Sequence, residues 1–510
     1  MSLLREAPAA ADPGRTTPRV TGATHPPSRP GGLRHSTRVL GSIAAVAGRL
    51  WVRDTTRSLG VSRTTVALFG LAALAVMVAG SLILTTVMPA LPTRDLPPDE
   101  LARIRALAAS LVWTLGSLVT IFFQMLAPRR TALSNVLGLL PVSRTLTAVA
   151  TQLPMLGVSL VAVASLAAPT VTMLADASRG GLAVAIPAAL LLVLGQIPLT
   201  ALLFNLVVPL VQRLRVPQHH ALAAGGFTGV AIAVAAPVLE LGGNGSAWLP
   251  HRVLAAAADG GAISGGSLLL WSASGLTLFV LLVGRLPADP DPAPSRLFVG
   301  YRVPRIRPMA QAWYELVMLA RAPQYLAVVV FTGAVFAAVL GAWLATRSSF
   351  LPVLAVPLLL PFFIGAVQSY GHTRATHWLS MHLLARPAAW AWPKATVCLA
   401  VAALLALPGA VLAASTQLIG WTEVPLLFVQ ALPAWSAAMV AGLLIPYSTE
   451  QPLSVGLSVG LAGIIYLGGL WTVGQLIPQA AVLGQVGMAA VCMSAYFLMA
   501  RLTRPQISHA

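Results

Sequence analysis

Charge is what this sequence has least of. Of its 510 residues, 57% are hydrophobic and 9% are charged, against about 25% charged in an ordinary soluble chain. That excludes a soluble globular protein of this length. Cysteine is nearly absent too: Cys398 and Cys492 both sit inside apolar runs, which argues against a disulfide framework or a cysteine-based zinc site. There is a single lysine, Lys394, preceded by Pro393. A phosphate-binding loop needs Gly-Lys-Ser/Thr so that the lysine reaches the β and γ phosphates, and the chain has no such loop. The alternating pattern of a membrane barrel is also missing.

What is there is a series of charge-free runs of some 20 residues, each able to cross a hydrocarbon core roughly 30 Å thick. They predict an all-α polytopic membrane protein with about 12 transmembrane helices, at 64–88, 106–126, 146–170, 181–211, 221–240, 263–284, 324–345, 350–369, 391–415, 422–446, 452–475 and 479–500. The fourth is long enough to tilt or to extend beyond the bilayer. Residues 1–38, rich in Pro, Arg, Thr, Ala and Gly, read as a disordered basic cytoplasmic tail with no apolar core of a secretory signal. Residues 39–63, with Leu50-Trp51-Val52 among arginines, read as a helix lying in the membrane interface.

Cytoplasmic loops collect Lys and Arg. With both termini inside, 26 of the 32 Lys and Arg residues fall on inner segments and 6 on outer ones. The net charge of +18 thus reads as topology, with both termini cytoplasmic in a cell membrane, and calls for membrane lipids but no nucleic acid. No outer loop exceeds about 25 residues, too short for a folded domain of typical size.

The chain divides at a Pro/Arg-rich cytoplasmic linker, residues 285–308, holding six prolines and five arginines. Residues 39–284 form a first domain of an interfacial helix plus six spans. Residues 309–502 form a second, opening on Gln311-Ala312-Trp313-Tyr314-Glu315-Leu316. Between the second and third span of each half lies a short basic segment. In the first, Arg129 to Arg144, the apolar residues Leu133, Leu137 and Leu140 recur at helical spacing beside Arg129, Arg130 and Arg144. Shifted by 244, Gln124 meets Gln368, Arg130 meets Arg374 and Leu140 meets Leu384, with His377 and Met381 at the other apolar positions. An amphipathic helix of this kind lies flat on lipid or fills an apolar groove on a partner. A plain positive-inside loop is the simpler alternative. Near the end of each half, Trp248-Leu249-Pro250 and Leu476-Ile477-Pro478 both precede an apolar stretch and predict re-entrant or interfacial turns.

Six spans per half, an interfacial helix before the first, and Leu140-Pro141-Val142-Ser143-Arg144 between the second and third resemble the ABC-2 family of export permeases, here with two permease domains fused. The second copy departs, reading Leu384-Ala385-Arg386-Pro387. The resemblance implies that the basic segments are coupling helices seated on a separate ATPase. Arg129, Arg130, Leu133, Leu137, Leu140, Pro141, Ser143 and Arg144 would make one contact, and Arg374, Met381, Leu384 and Arg386 the other. It implies two copies of a nucleotide-binding subunit per chain, ATP and magnesium on that subunit and no cofactor in this chain. No catalytic role and no homodimer follow from it. The cargo would be a hydrophobic or amphipathic small molecule, lipid or peptide.

The alternative is an ion-gradient-driven secondary transporter. Such carriers keep ionisable groups inside the bilayer, whereas here acidic residues fall mostly in tails and loops, with Glu240 and Glu423 close to span ends. The polar residues within spans are uncharged. Gln152, Gln196 and Asn205 are candidates for a weakly polar translocation path, and helix–helix hydrogen bonding is the plainer account of them. His372, His377 and His382, spaced by five, do not share a helix face and predict no metal site. Asp95, Asp99 and Glu100 in the first outer loop raise a membrane enzyme as a remote third class, but capping of a helix start explains them better.

Overall fold

A computed structural model describes residues 33–59, 97–126, 142–241, 247–286, 304–347, 359–374, 389–447, 452–476 and 478–502, together with Tyr301 and isolated positions between 62 and 75. Among them the regular structure is helical, with no strand. In chain order the helices are α1 (Leu33–Leu59), α2 (Pro98–Leu126), α3 (Arg144–Leu166), α4 (Ala168–Asp176), α5 (Gly181–Gln212), α6 (Gln218–Leu241), α7 (Pro250–Ala258) and α8 (Ala262–Val283). There follow α9 (Arg307–Arg321), α10 (Pro323–Thr346), α11 (Ser369–Thr373), α12 (Ala391–Ser415), α13 (Glu423–Leu444), α14 (Pro452–Leu476) and α15 (Ala481–Leu502). Ten of these are long and apolar enough to cross a membrane: α2, α3, α5, α6, α8, α10, α12, α13, α14 and α15. The chain is an all-helical, multi-pass membrane protein. Of the other two expected spans, 64–88 falls largely outside the described residues, and 350–369 is described from residue 359 onward.

Local chemistry sets several of these ends. Asp99 and Glu100 occupy the first turn of α2, where negative charge meets the positive end of the helix dipole. The Ser143 side chain accepts from the Leu146 N–H at 3.3 Å and caps α3. The run expected as one span over 146–170 breaks at Ala167, and α4 restarts with Pro169 in its first turn, a position that has no helical partner to lose. At 32 residues, α5 is about 48 Å long at 1.5 Å per residue, so it outruns the bilayer core as expected.

Small residues let the long helices meet closely. A Cβ on Gly275 of α8 would lie 2.5 Å from the Gly195 carbonyl oxygen of α5. On α12, Ala395, Ala402, Ala406, Ala410 and Ala413 form a buried stripe. The N- and C-terminal sets of helices are joined at one end of the bundle. There Ile121, Met125, Phe204, Val208 and Leu222 pack with Ala327 of α10, and Leu126 packs with Val328 and Tyr447. We call this the α9 end, because α9 leads directly into α10. At the opposite, α7 end, Leu254, Ala257 and Ala258 of α7 close over Ala108, Leu174 and Leu192. The turn expected after Trp248 is therefore a nine-residue helix, while its counterpart after Leu476 is a single 3-10 turn, Pro478–Ala480. Helix α1 lies along α3, and α9 lies along α12.

Candidate functional site

Helix α9 carries Gln311 and Glu315 four residues apart, hence on one face. Helix α11 does the same with Ser369 and Thr373, and Lys394 stands in the first turn of α12. The three elements converge at the α9 end. The Lys394 ammonium donates to Glu315 Oε2 at 2.5 Å, to Thr373 Oγ1 at 2.7 Å and to the Ser369 carbonyl oxygen at 3.1 Å. An ammonium has three protons, and all three are used. Glu315 Oε1 accepts from Gln311 Nε2 at 3.0 Å. Lys394 is 1% exposed and Glu315 5%, so the chain's only lysine is sealed in the interior. Removing one partner of such a pair leaves the other charge buried and unpaired, at a cost of about 3–5 kcal/mol.

This pair adds a buried charge to a chain whose acidic residues are expected mostly in tails and loops. Its partners are 79 residues apart in sequence. Glu315 reads as part of an interfacial helix, and Lys394, at the start of the expected span 391–415, counts in the sequence only as a lysine without a phosphate-binding loop and as one of the basic residues on the inner side. The one available signal was the helical spacing of Gln311 and Glu315 with a sole lysine in an otherwise uncharged region.

A second polar group lies within the spans. Gln124 Nε2 donates to Gln152 Oε1 at 3.1 Å, and Asn205 Nδ2 donates to Gln124 Oε1 at 3.3 Å and to the Ala201 carbonyl at 2.8 Å. The structure thus brings two of the three path candidates, Gln152 and Asn205, onto one network through Gln124. Gln196 stands apart, donating to Ser117 Oγ at 2.7 Å and to the Trp113 carbonyl. Its own Oε1 is buried without a hydrogen-bond partner.

The α7 end holds a third group. Glu240 receives Arg252 through Nε at 2.6 Å and Nη2 at 2.9 Å, and His251 Nε2 lies 2.8 Å from the same carboxylate. Asp259 accepts from the Arg179 N–H at 3.0 Å and pairs with Arg105. Burial pushes both carboxyls up, but the hydrogen bonds they accept outweigh it, and both lie below the usual carboxylate range. Burial lowers His251, and Glu240 only partly offsets this. These contacts fasten α7 to α2 and α6. Glu423, the other acid noted near a span end, opens α13 and accepts from the Gly420 N–H of the turn before it at 3.1 Å.

No family model, curated protein or solved structure matches the chain. The assignment of function rests on geometry and sequence layout.

Of the expected contact residues, Arg129, Arg130, Leu133, Leu137, Leu140, Pro141, Met381, Leu384 and Arg386 lie outside the described residues. Ser143 caps α3 and Arg144 opens it. Arg374, half-buried, directly follows Thr373, so the second basic segment leaves the structure beside the ion pair. The chain re-enters at residue 389, five residues before Lys394. Among the described residues no His, Cys, Asp and Glu cluster could hold a metal. The buried pair presents no free proton or lone pair to a ligand through Lys394. What it can do is hold three segments in fixed relation.

Proposed function

We propose that the chain is the membrane-spanning permease of an ATP-driven exporter of ABC-2 type. Two six-span halves are fused, and each docks one copy of a nucleotide-binding ATPase subunit through its basic segment. The observation that carries this reading is the layout shared by the two halves. Each basic segment follows a Gln, Gln124 or Gln368, near the end of one apolar run and leads into the next. The helix entered after each segment, α3 or α12, has an amphipathic helix, α1 or α9, laid along it. Both termini lie in the cytoplasm and the chain sits in the cell membrane. ATP and magnesium bind the partner. One chain closes the path, and the cargo is hydrophobic or amphipathic.

Gentle purification from the native membrane tests this. An ATP-hydrolysing subunit is expected at about two per chain, lost when Arg130, Leu137 and Leu140 are changed together. A chain recovered alone that transports without ATP sinks the reading.

One observation favours a second reading, the gradient-driven carrier: ionisable groups inside a membrane protein are costly and mark ion pathways by default, and Lys394 with Glu315 is such a pair. Its complete hydrogen bonding and its place beside the second basic segment fit a brace better than a proton relay.

A further inference from the structure

The second basic segment leaves α11 just after Thr373 and returns just before Lys394, and these two residues are hydrogen-bonded to each other at 2.7 Å. Lys394 also holds Ser369 through its carbonyl and α9 through Glu315. One side chain therefore ties both ends of the segment to the amphipathic helix. We propose that Lys394 and Glu315 form a clamp that closes the base of the second basic segment, so that Ser369–Thr373, the start of α12 and α9 move as one body.

The first half offers a contrast at the same place. The shift of 244 that pairs Gln124 with Gln368 puts Lys394 on Ala150, since 394 − 150 is 244. Ala150 is fully buried against Ile43 of α1, with Val142 and Leu146 beside them. That joint is apolar and has no direction, whereas the Lys394 joint is fixed by three donors on three acceptors. A push on the second segment is transmitted to α9 through hydrogen bonds. Among the described residues, the joint at the base of the first is apolar contact, which has no preferred direction. The base of the second segment is the more firmly held of the two, and its use as a lever rests on the coupling role proposed above, while the clamp itself does not.

Two measurements on the full chain in lipid nanodiscs test the clamp. As the only lysine, Lys394 can be read alone by an amine-acylating reagent followed by peptide mass spectrometry. It should remain unmodified over a time that fully modifies the N-terminal amine; acylation of both at one rate overturns the proposal. The double variant Lys394→Met with Glu315→Leu replaces the pair by apolar groups, a change that buried pairs commonly tolerate. It should melt close to the parent yet exchange the amide hydrogens of α9 and of 369–374 about tenfold faster. Unchanged exchange at those amides would show the pair to be filling, not clamping. Should the double variant melt far lower, Thr373→Val serves instead. It removes the Lys394–Thr373 bond together with the hydroxyl's own bonds to the Ser369 and Tyr370 carbonyls, and leaves Lys394 on the Ser369 carbonyl and Glu315. It should raise exchange at both 369–374 and 389–394; no rise at 389–394 overturns the clamp.

The lever is tested on the complex with its ATPase. Adding Mg·ATP and orthovanadate should change exchange at α9 in the parent and leave α9 unchanged in the double variant while the ATPase stays bound. A response kept in the double variant overturns the lever. No ATPase on the parent chain overturns the permease reading and with it the lever, and the acylation and exchange results on the chain alone still decide the clamp.

Discussion

Two amphipathic helices, α1 and α9, each lie along a long membrane-spanning helix, and they are fastened by opposite chemistry. Helix α1 sits on α3 through Ile43 against Ala150. Helix α9 sits on α12 through Glu315 and Lys394. The apolar joint loses little when shape changes slightly, because apolar contact is roughly proportional to area and has no preferred direction. The ionic joint is all or nothing. Complete, it has every proton placed. Half removed, it leaves a bare charge in a low-dielectric interior. What such a pair contributes is fixed geometry more than net stability.

The largest expected effect breaks the ionic joint on one side. Lys394→Met alone should cost about 3–5 kcal/mol, seen as loss of the folded fraction in a denaturant series, and adding Glu315→Leu should recover most of it. A double variant as unstable as the single one would mean that packing, not charge, holds α9. Next comes Gly371, whose added Cβ would lie 2.1 Å from the Tyr447 carbonyl oxygen and 2.6 Å from its nitrogen. Backbone atoms cannot turn aside, so Gly371→Ala should cost about 3 kcal/mol, the upper range for overpacking, in the same assay. The apolar joint should respond far less. Ile43→Val removes one methyl group and should cost about 1 kcal/mol. A cost equal to that of Lys394→Met would erase the contrast between the two joints.

The α7 end offers a comparison in pH. Glu240 and His251 both hold protons less firmly in the folded protein than in an unfolded chain. Their contribution is therefore complete at neutral pH. It begins to fall as pH drops below the ordinary His value of 6.5, and falls further through the carboxyl range of Glu240. Asp259 adds to the acid end of the same trend. Thermal melting followed from pH 8 to 4 should show a decline whose first part disappears in His251→Gln. Glu240→Gln should cost about 2 kcal/mol at pH 7, within the range for hydrogen bonds to charged groups, and flatten the second part. A parent curve that rises on acidification would reverse the assignment.

The membrane-spanning helices were readable because their signal is local: twenty apolar residues span a bilayer whatever they pack against. Ten expected spans recur as helices, nine of them within four residues of their bounds, while α2 begins eight residues before the expected 106. The break at Ala167 was missed although Pro169 marks it, because hydropathy continues across the break. Gln152 and Asn205 were legible as polar residues in apolar runs, but not their meeting on Gln124, which depends on how α2, α3 and α5 cross. Glu315 with Lys394 was the larger miss. Each residue taken alone has an ordinary explanation at the edge of the membrane, and only the packing of α9 on α12 turns them into a buried pair. Pairings 79 or 81 residues apart in sequence are written in helix packing, not in local pattern.

The smallest expected effect is at Gln152, and it separates a packing role from a path. Gln152→Leu removes the acceptor for Gln124 Nε2, while Gln124 Oε1 keeps the Asn205 amide. No charge is stranded, and hydrogen bonds between membrane helices are worth about 0.6 kcal/mol on average. The variant should therefore melt within a degree or two of the parent, in contrast to Lys394→Met, and that near-neutrality makes it usable. On the permease reading proposed above, a network that is only packing leaves vesicles carrying the variant complex exporting at the parent rate. If Gln152 and Asn205 line a path, export falls several-fold in Gln152→Leu with stability unchanged, and Gln152→Asn restores part of it. A loss of stability as large as that of Lys394→Met would instead place the uncharged network on the same footing as the ion pair, and the distinction between the two polar groups would be lost.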